Sequence, residues 1–152
     1  MNENEIIKSD LNQYQKIALL AYYYMKCGEK CPSAAWAKAC KRLKINTKTS
    51  DKCCPKGAFI GLVEHNYLKG LSQVSSVHTN SKNAKYAMIL AWLYKEGEIL
   101  NKDTTKKAKW EIFRKHAPQK IQPVAENNNG QLDVVEVFHE KGLLNYDNIK
   151  EI

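Results

Sequence analysis

The cysteines and histidines are the side chains of this sequence best suited to covalent or metal chemistry. The chain has 152 residues, with five cysteines and four histidines. Cys54 stands before Pro55 at a predicted helix start, where the pKa of a thiol is lowered and the thiolate becomes a nucleophile. No histidine stands at a spacing that selects it as the partner base of Cys54. We therefore predict a binding protein rather than an enzyme, and keep a small enzyme that uses Cys54 as an alternative.

The cysteine pattern favours free, reduced thiols over disulfides or a zinc site. All five cysteines lie in the first half of the chain, at Cys27, Cys31, Cys40, Cys53 and Cys54. Their odd number and the acidic start of the chain predict a reducing, cytoplasmic location. A zinc site would join Cys27 and Cys31 to Cys53 or Cys54, without the paired Cys-x2-Cys knuckles that zinc sites use. We predict no metal and no cofactor.

Lysine clusters make the chain basic in two places. The formal net charge is +8, and the basic residues concentrate at 38–56 and 102–120. A repeated basic surface is typical of a protein that binds nucleic acid or another polyanion. Arg42 and Arg114 are the two arginines of the chain, which favours phosphate contact over the reading of base edges. The predicted nucleic-acid-binding residues are Lys38, Lys41, Arg42, Lys44, Lys107, Arg114 and Lys115.

A protein–protein interaction adaptor is the alternative function. Exposed aromatic residues among Tyr22, Tyr23, Tyr24 and Trp92 would then contact the partner. One contiguous positive face would favour polyanion binding, whereas scattered lysines would favour the adaptor. A membrane is not predicted as a partner, because no apolar run approaches the roughly 20 residues of a membrane-spanning helix.

Two glycines mark a helix with an unusually small face. Gly57 and Gly61 are four residues apart and so share one side of a predicted helix that is apolar around most of its circumference. Close packing of a second helix is one interpretation. The other is an anion niche, in which Lys56, Gly57 and Gly61 bind an anion at the helix N-terminus.

An internal repeat predicts the architecture. Lys26-Cys27-Gly28-Glu29 recurs as Lys95-Glu96-Gly97-Glu98, 69 residues later. Trp36 corresponds to Trp110 at a separation of 74, and Glu64 corresponds to Glu140 at a separation of 76. We predict an all-α fold of about six helices, in two divergent three-helix repeats that share a core. The chain forms a single domain over 1–152, with repeats at 12–71 and 82–144 and a linker at 72–81.

Apolar periodicity and helix-end residues position the six helices. The predicted helices are Asn12–Cys27, Pro32–Leu43, Pro55–His65, Lys82–Lys95, a helix capped by Asp103 or Thr104 that ends at His116, and Leu132–Lys141. The polar segment Ile45–Cys53 is predicted as a loop. Phe59, Leu62 and Val63 are predicted to be buried.

The segment Cys54–Glu64 resembles an uncharacterised bacterial family. Its hallmark is Cys-Pro-(Lys/Arg)-Gly-Ala-Phe-x-Gly-Leu-x-Glu followed by Lys-Gly and a hydrophobic residue, which matches Cys54–Phe59, Gly61-Leu62, Glu64 and Lys69–Leu71. The helix start at Ser81 and the segment Gln131–Val135 are also similar to that family. The resemblance implies no activity.

The units are also similar to winged helix-turn-helix domains, in which the third helix reads DNA. Here that helix carries few donors for base edges, and Leu132–Lys141 is acidic, which repels phosphate. We therefore expect phosphate contacts from the basic second helix of each unit instead.

Overall fold

The chain is helical through most of the part that the structure describes. The computed structural model describes residues 1–71, 81–99, 104–117, 121 and 123–152. These residues form eight α-helices and a short 3-10 helix at Tyr146–Asn148. The helices are α1 (Glu3–Lys8), α2 (Gln13–Lys26), α3 (Pro32–Arg42), α4 (Thr47–Ser50), α5 (Cys53–Glu64), α6 (Lys82–Lys95), α7 (Lys106–His116) and α8 (Gln131–Glu140). The all-α prediction is confirmed.

The six predicted helices are present, and α1 and α4 are additional. Both additional helices begin with an asparagine cap: the side chain of Asn2 accepts the N–H of Glu5, and that of Asn46 accepts the N–H of Thr49. The prediction of a loop at Ile45–Cys53 missed α4, because a single polar turn has no apolar periodicity. The predicted cap Asp103 and residues 72–80 of the predicted linker lie outside the described residues, and Thr105 caps α7.

The first two helices of each unit have the same length, and the first helix ends with the same hydrogen bond in both units. Helices α2 and α6 each have 14 residues, and α3 and α7 each have 11. After α2 the N–H of Glu29 donates to the carbonyl of Tyr24 at 3.1 Å, and after α6 the N–H of Glu98 donates to that of Leu93 at 2.9 Å. These pairs stand 69 residues apart, as the repeat in the sequence does.

The two units meet through a reciprocal pair of hydrogen bonds. The N–H of Lys69 donates to the carbonyl of Leu143 at 2.8 Å, and the N–H of Asn145 donates to that of Tyr67 at 2.8 Å. Adding 76 to Lys69 and Tyr67 gives Asn145 and Leu143, so the second bond repeats the first with the units exchanged. Such an exchange is the signature of a two-fold relationship. The isolated antiparallel bridge Leu68–Leu144 lies between the two bonds.

Helix α5 lies at the centre of a buried cluster that contains residues of both units. Phe59, Leu62 and Val63 are buried, as predicted. The ring of Phe59 lies 5.6 Å from that of Trp36 and 6.2 Å from that of Phe138 in α8. The aromatic contacts therefore join α3, α5 and α8 across the boundary between the units. None of the helices that the structure describes is long and apolar enough to cross a membrane.

Candidate polyanion-binding surface

The basic residues of the first unit lie on the outer side and at the C-terminal end of α3. Its buried face, which includes Ala35, Trp36, Ala39 and Cys40, packs against α2 and α5, so Lys38, Lys41 and Arg42 are exposed. Lys44 follows the helix with φ of 56°, in the left-handed region that usually favours glycine. The turn is closed by the N–H of Ile45, which donates to the carbonyl of Cys40 at 3.0 Å. Because of this hydrogen bond, Ile45 lies beside the C-terminal end of α3.

Two concavities flank this turn and share Ile45. The outer groove has a volume of about 470 Å³ and lies between the α1–α2 region and the end of α3. The Trp36 pocket has a volume of about 290 Å³ and lies between α3, α4 and α5. The groove is lined by Ile7, Leu11, Gln13, Lys16, Arg42, Leu43, Lys44 and Ile45, and the pocket by Trp36, Ala37, Cys40, Lys41, Ile45, Ser50, Asp51 and Lys56.

Five basic residues therefore line the two concavities that meet at Ile45. We call the combined lining of these concavities the Ile45 surface, and its basic residues are Lys16, Lys41, Arg42, Lys44 and Lys56. Of the residues predicted to bind nucleic acid, it brings together Lys41, Arg42 and Lys44. It adds Lys56, which was predicted for an anion niche, and Lys16, which the sequence analysis did not select. Lys16 lies on α2, outside both basic runs of the sequence.

The charges of the Ile45 surface are only partly neutralised within the protein. Lys41 and Lys44 are exposed and form no ion pair with a described residue. Arg42 Nε lies 3.0 Å from Glu3 Oε1, although 48% of the Arg42 side chain is exposed. Such an exposed pair contributes at most about 1 kcal/mol. Arg42 can therefore exchange Glu3 for another anion. Lys38, next to this surface, holds its Nζ 4.6 Å from the centre of the Tyr24 ring.

The basic residues of the second unit do not join this surface. Lys107, Arg114 and Lys115 lie on α7, which packs against α6 through the buried Trp110 and Phe113. Lys107 and Lys115 are exposed, whereas Arg114 lies 3.4 Å from Glu111.

Acidic groups also neutralise two neighbouring lysines of α7. Lys109 pairs with Glu136 at 3.2 Å, with both side chains largely buried, and Lys106 pairs with the buried Asp133. Helix α7 therefore offers a smaller free positive charge than its lysine content suggests.

Helix α6 covers the small face of α5, which contradicts the predicted anion niche. A Cβ atom on Gly61 would lie 2.6 Å from the Cα of Ala84, and one on Gly57 would lie 2.9 Å from the Cβ of Asn83. Both glycines therefore permit the close approach of α5 and α6. Lys56 remains available, but as part of the Ile45 surface.

The surroundings of Cys54 differ from those expected of an activated nucleophile. All five cysteines are unpaired. Burial raises the pKa of the Cys54 thiol, and the neighbouring Cys53 raises it further. The shift in the Cys54 pKa is therefore opposite to the expected lowering, because burial and Cys53 outweigh the lowering by Lys52 and Asn83. Within the described part of the chain, no three His, Cys, Asp or Glu side chains gather as metal ligands would.

Two of the four aromatic residues proposed for an adaptor serve the structure instead. Tyr22 and Tyr24 are buried, and Tyr23 and Trp92 are half-buried. The hydroxyl of Tyr22 donates to the carbonyl of Lys69 at 2.7 Å, and that of Tyr24 donates to Glu3 Oε1 at 2.7 Å. The expectation of an exposed aromatic patch on these residues is therefore wrong for Tyr22 and Tyr24.

The fold and the Ile45 surface define a small all-helical protein of two similar units, with basic residues in two concavities that share Ile45. The chain belongs to a family of unknown function, DUF6979, whose model matches residues 11–145. This match agrees with the resemblance to an uncharacterised family. Comparisons with curated proteins and with solved structures found no match.

Proposed function

We propose that the protein is a small non-enzymatic binding protein, acting in the cytoplasm, whose Ile45 surface binds nucleic acid or another polyanion through its phosphates. The observation that carries this proposal is that Lys41, Arg42, Lys44 and Lys56 line two neighbouring concavities that share Ile45. A contiguous positive face attracts a polyanion more strongly than the same charges scattered over the molecule.

The composition of the surface favours phosphate contact without strong sequence selectivity. Lysines provide most of its charge, and lysine acts on phosphate as a point charge rather than as a planar reader of bases. The third helix of each unit is largely buried, so it presents little to a nucleic acid groove. Binding should therefore release counterions and weaken steeply as salt rises.

A salt titration of binding to DNA and RNA tests this proposal. We expect measurable binding at about 50 mM salt and a linear fall of log affinity with log salt. Unrelated sequences of equal length should bind about equally. If the wild-type protein binds neither DNA nor RNA under these conditions, the proposal fails.

The outer groove favours an adaptor as the second candidate function. Its walls include the apolar side chains of Ile7, Leu11 and Leu43, and Arg42 and Lys44 lie among them. A partner segment with apolar side chains and neighbouring acidic residues would complement this groove. Failure of nucleic acid binding would make the adaptor the better account.

A further inference from the structure

The Trp36 pocket combines an apolar floor with charges of both signs. Trp36, Cys40 and Ile45 line it together with Lys56 and Asp51. Burial raises the pKa of the Cys40 thiol to about 11, while Lys56 lowers it and Asp51 raises it. Both charges therefore act close to the floor of the pocket. The volume of about 290 Å³ lies just below the range of about 300–1,000 Å³ that is usual for ligand sites.

Trp36 contributes a buried donor that has no acceptor. Its side chain is 1% exposed, and its indole Nε1 has no hydrogen-bond partner among the described residues. In the second unit, Nε1 of the equivalent Trp110 donates to the carbonyl of Ala125 at 3.0 Å. A buried N–H without an acceptor is unfavourable, because it loses its hydrogen bond to water and gains none in the protein. The packing of the ring therefore does not explain why Trp36 lacks, within the described part of the chain, the acceptor that Trp110 has.

Helix α4 explains why Trp36 has no acceptor among the described residues whereas Trp110 has one. In the second unit, the segment before α8 contributes the carbonyl of Ala125. In the first unit, the segment before α5 folds into α4, and its carbonyls accept backbone N–H groups instead. The carbonyl of Thr47 accepts from Asp51 at 3.0 Å, and that of Thr49 accepts from Lys52 at 3.1 Å. The same segment places Ser50 and Asp51 in the wall of the pocket.

The lining selects among classes of ligand. A simple inorganic anion would suit Lys41 and Lys56 but would meet the carboxylate of Asp51 and an apolar floor. An alkyl chain would suit the floor but would leave the charged groups without partners. A planar heterocycle with ring acceptors and amino donors satisfies both, because its ring suits the apolar floor, its acceptors suit the lysines and its donors suit Asp51.

We propose that the Trp36 pocket accepts one unpaired nucleobase, with the attached phosphate held by Lys41 and Lys56. This inference rests on the proposed function and specifies it, since a base inside a duplex cannot enter the pocket. The same chemistry is offered by a single strand and by a free nucleotide. The preferred polyanion is then a single-stranded nucleic acid rather than a duplex.

Abasic strands separate this inference from the proposed function. Binding is compared for a single strand of about 12 nucleotides, an abasic strand with the same phosphates, and the duplex of the same sequence, with a nucleoside monophosphate as a fourth ligand. We expect the base-bearing strand to bind about tenfold more tightly than the abasic strand, which corresponds to about 1.4 kcal/mol, because only the base-bearing strand can place a base in the pocket. Equal binding of the two strands would overturn the inference and leave the proposed function standing.

Each of the other outcomes also supports or overturns the inference or the proposed function. Binding of the nucleoside monophosphate with no binding of any strand would support the pocket and overturn the polyanion function. No binding of any ligand would overturn both. Preference for the duplex at equal phosphate count would overturn the pocket alone.

A substitution that fills the pocket provides a further test, with a matched control on the same helix. Ala37 is exposed on α3 and lines the pocket, whereas Ala34 is exposed on the same helix and does not. In Ala37→Leu, we expect the affinity for the base-bearing strand to fall to the affinity for the abasic strand. The affinity for the abasic strand should be the same as in the wild type. Ala34→Leu should change neither, and the circular dichroism of both variants should match the wild type. Loss of base-bearing and abasic binding in equal measure in Ala37→Leu would overturn the inference.

Discussion

Trp36 and Trp110 occupy the same position, the fifth residue, in α3 and α7, but only Trp110 donates its indole N–H to an acceptor among the described residues. Both side chains are almost fully buried, at 1% and 2% exposure. The repeat has therefore kept the packing role of the tryptophan in both units. The polar surroundings of the ring have diverged.

Replacing each tryptophan by phenylalanine should separate packing from hydrogen bonding. Both variants lose similar apolar area, but Trp110→Phe also leaves the carbonyl of Ala125 without its donor. We expect Trp110→Phe to lower the free energy of unfolding by about 1–3 kcal/mol more than Trp36→Phe does. Denaturant titration of the two variants measures the difference. An equal or larger loss in Trp36→Phe would contradict the assignment of an unpartnered N–H.

Phe59 should be among the most important core residues. It is fully buried and contacts aromatic rings of both units, so Phe59→Ala should cost about 3–5 kcal/mol of unfolding free energy. Ile60→Ala, at the half-buried neighbouring position, is the matched control and should cost less. A cost below about 1 kcal/mol for Phe59→Ala would be incompatible with the packing described.

Gly61→Ala tests the close packing of α5 on α6. The added methyl group would lie 2.6 Å from both the Cα and the Cβ of Ala84, and overpacking of this kind costs about 1–3 kcal/mol. A second substitution, Ala84→Gly, should recover part of the loss because it removes one of the two clashing atoms. A thermal melt of Gly61→Ala at or above the wild-type midpoint would show that α6 does not constrain this face.

Stability should fall in alkaline solution partly because of Cys40. Burial raises the pKa of its thiol from about 9 to about 11, so the folded state retains a proton that the unfolded state releases. The unfolded state therefore binds fewer protons between these values, and the free energy of unfolding falls as pH rises from about 9 to about 11. Cys40→Ala should flatten this dependence in urea titrations. An unchanged slope in the variant would assign the effect to other groups.

Individual residues show why the fold was easier to predict than the surface. Ser81 and the apolar periodicity that follows it predict α6 with both ends correct, because capping and periodicity are local. The grouping of Lys16 and Lys56 with Lys41 depends on how α2 and α5 pack around the end of α3, which no local pattern reveals. The left-handed turn at Lys44 also lacks the glycine that would have indicated it.

Two sequence features were ambiguous for physical reasons. Gly57 and Gly61 suit helix packing and anion binding equally well until the position of α6 is known. Tyr22 and Tyr24 are two residues apart and so lie on different sides of α2, yet both are buried. Helices α1 and α3 cover part of the side of α2 that would be exposed if α2 packed on one side only.

The most direct test of the Ile45 surface is the salt dependence of binding in two charge-matched triple variants. Lys41, Lys44 and Lys56 are replaced by Gln in the first. In the control, Gln replaces the exposed Lys30, Lys141 and Lys150, none of which lines the surface. Arg42 is retained because it pairs with Glu3. Both variants change the net charge equally, so an unspecific effect of charge would appear in both.

The measured quantity is the slope of log affinity against log salt for a single strand. Each lost phosphate contact should lower its magnitude by about 0.7, so we expect the first variant to flatten the slope by about 2 and the control to leave it nearly unchanged. Thermal melts check that both variants remain folded. The same slope in both triple variants, or an unchanged slope in the first, would contradict the assignment of polyanion binding to the Ile45 surface.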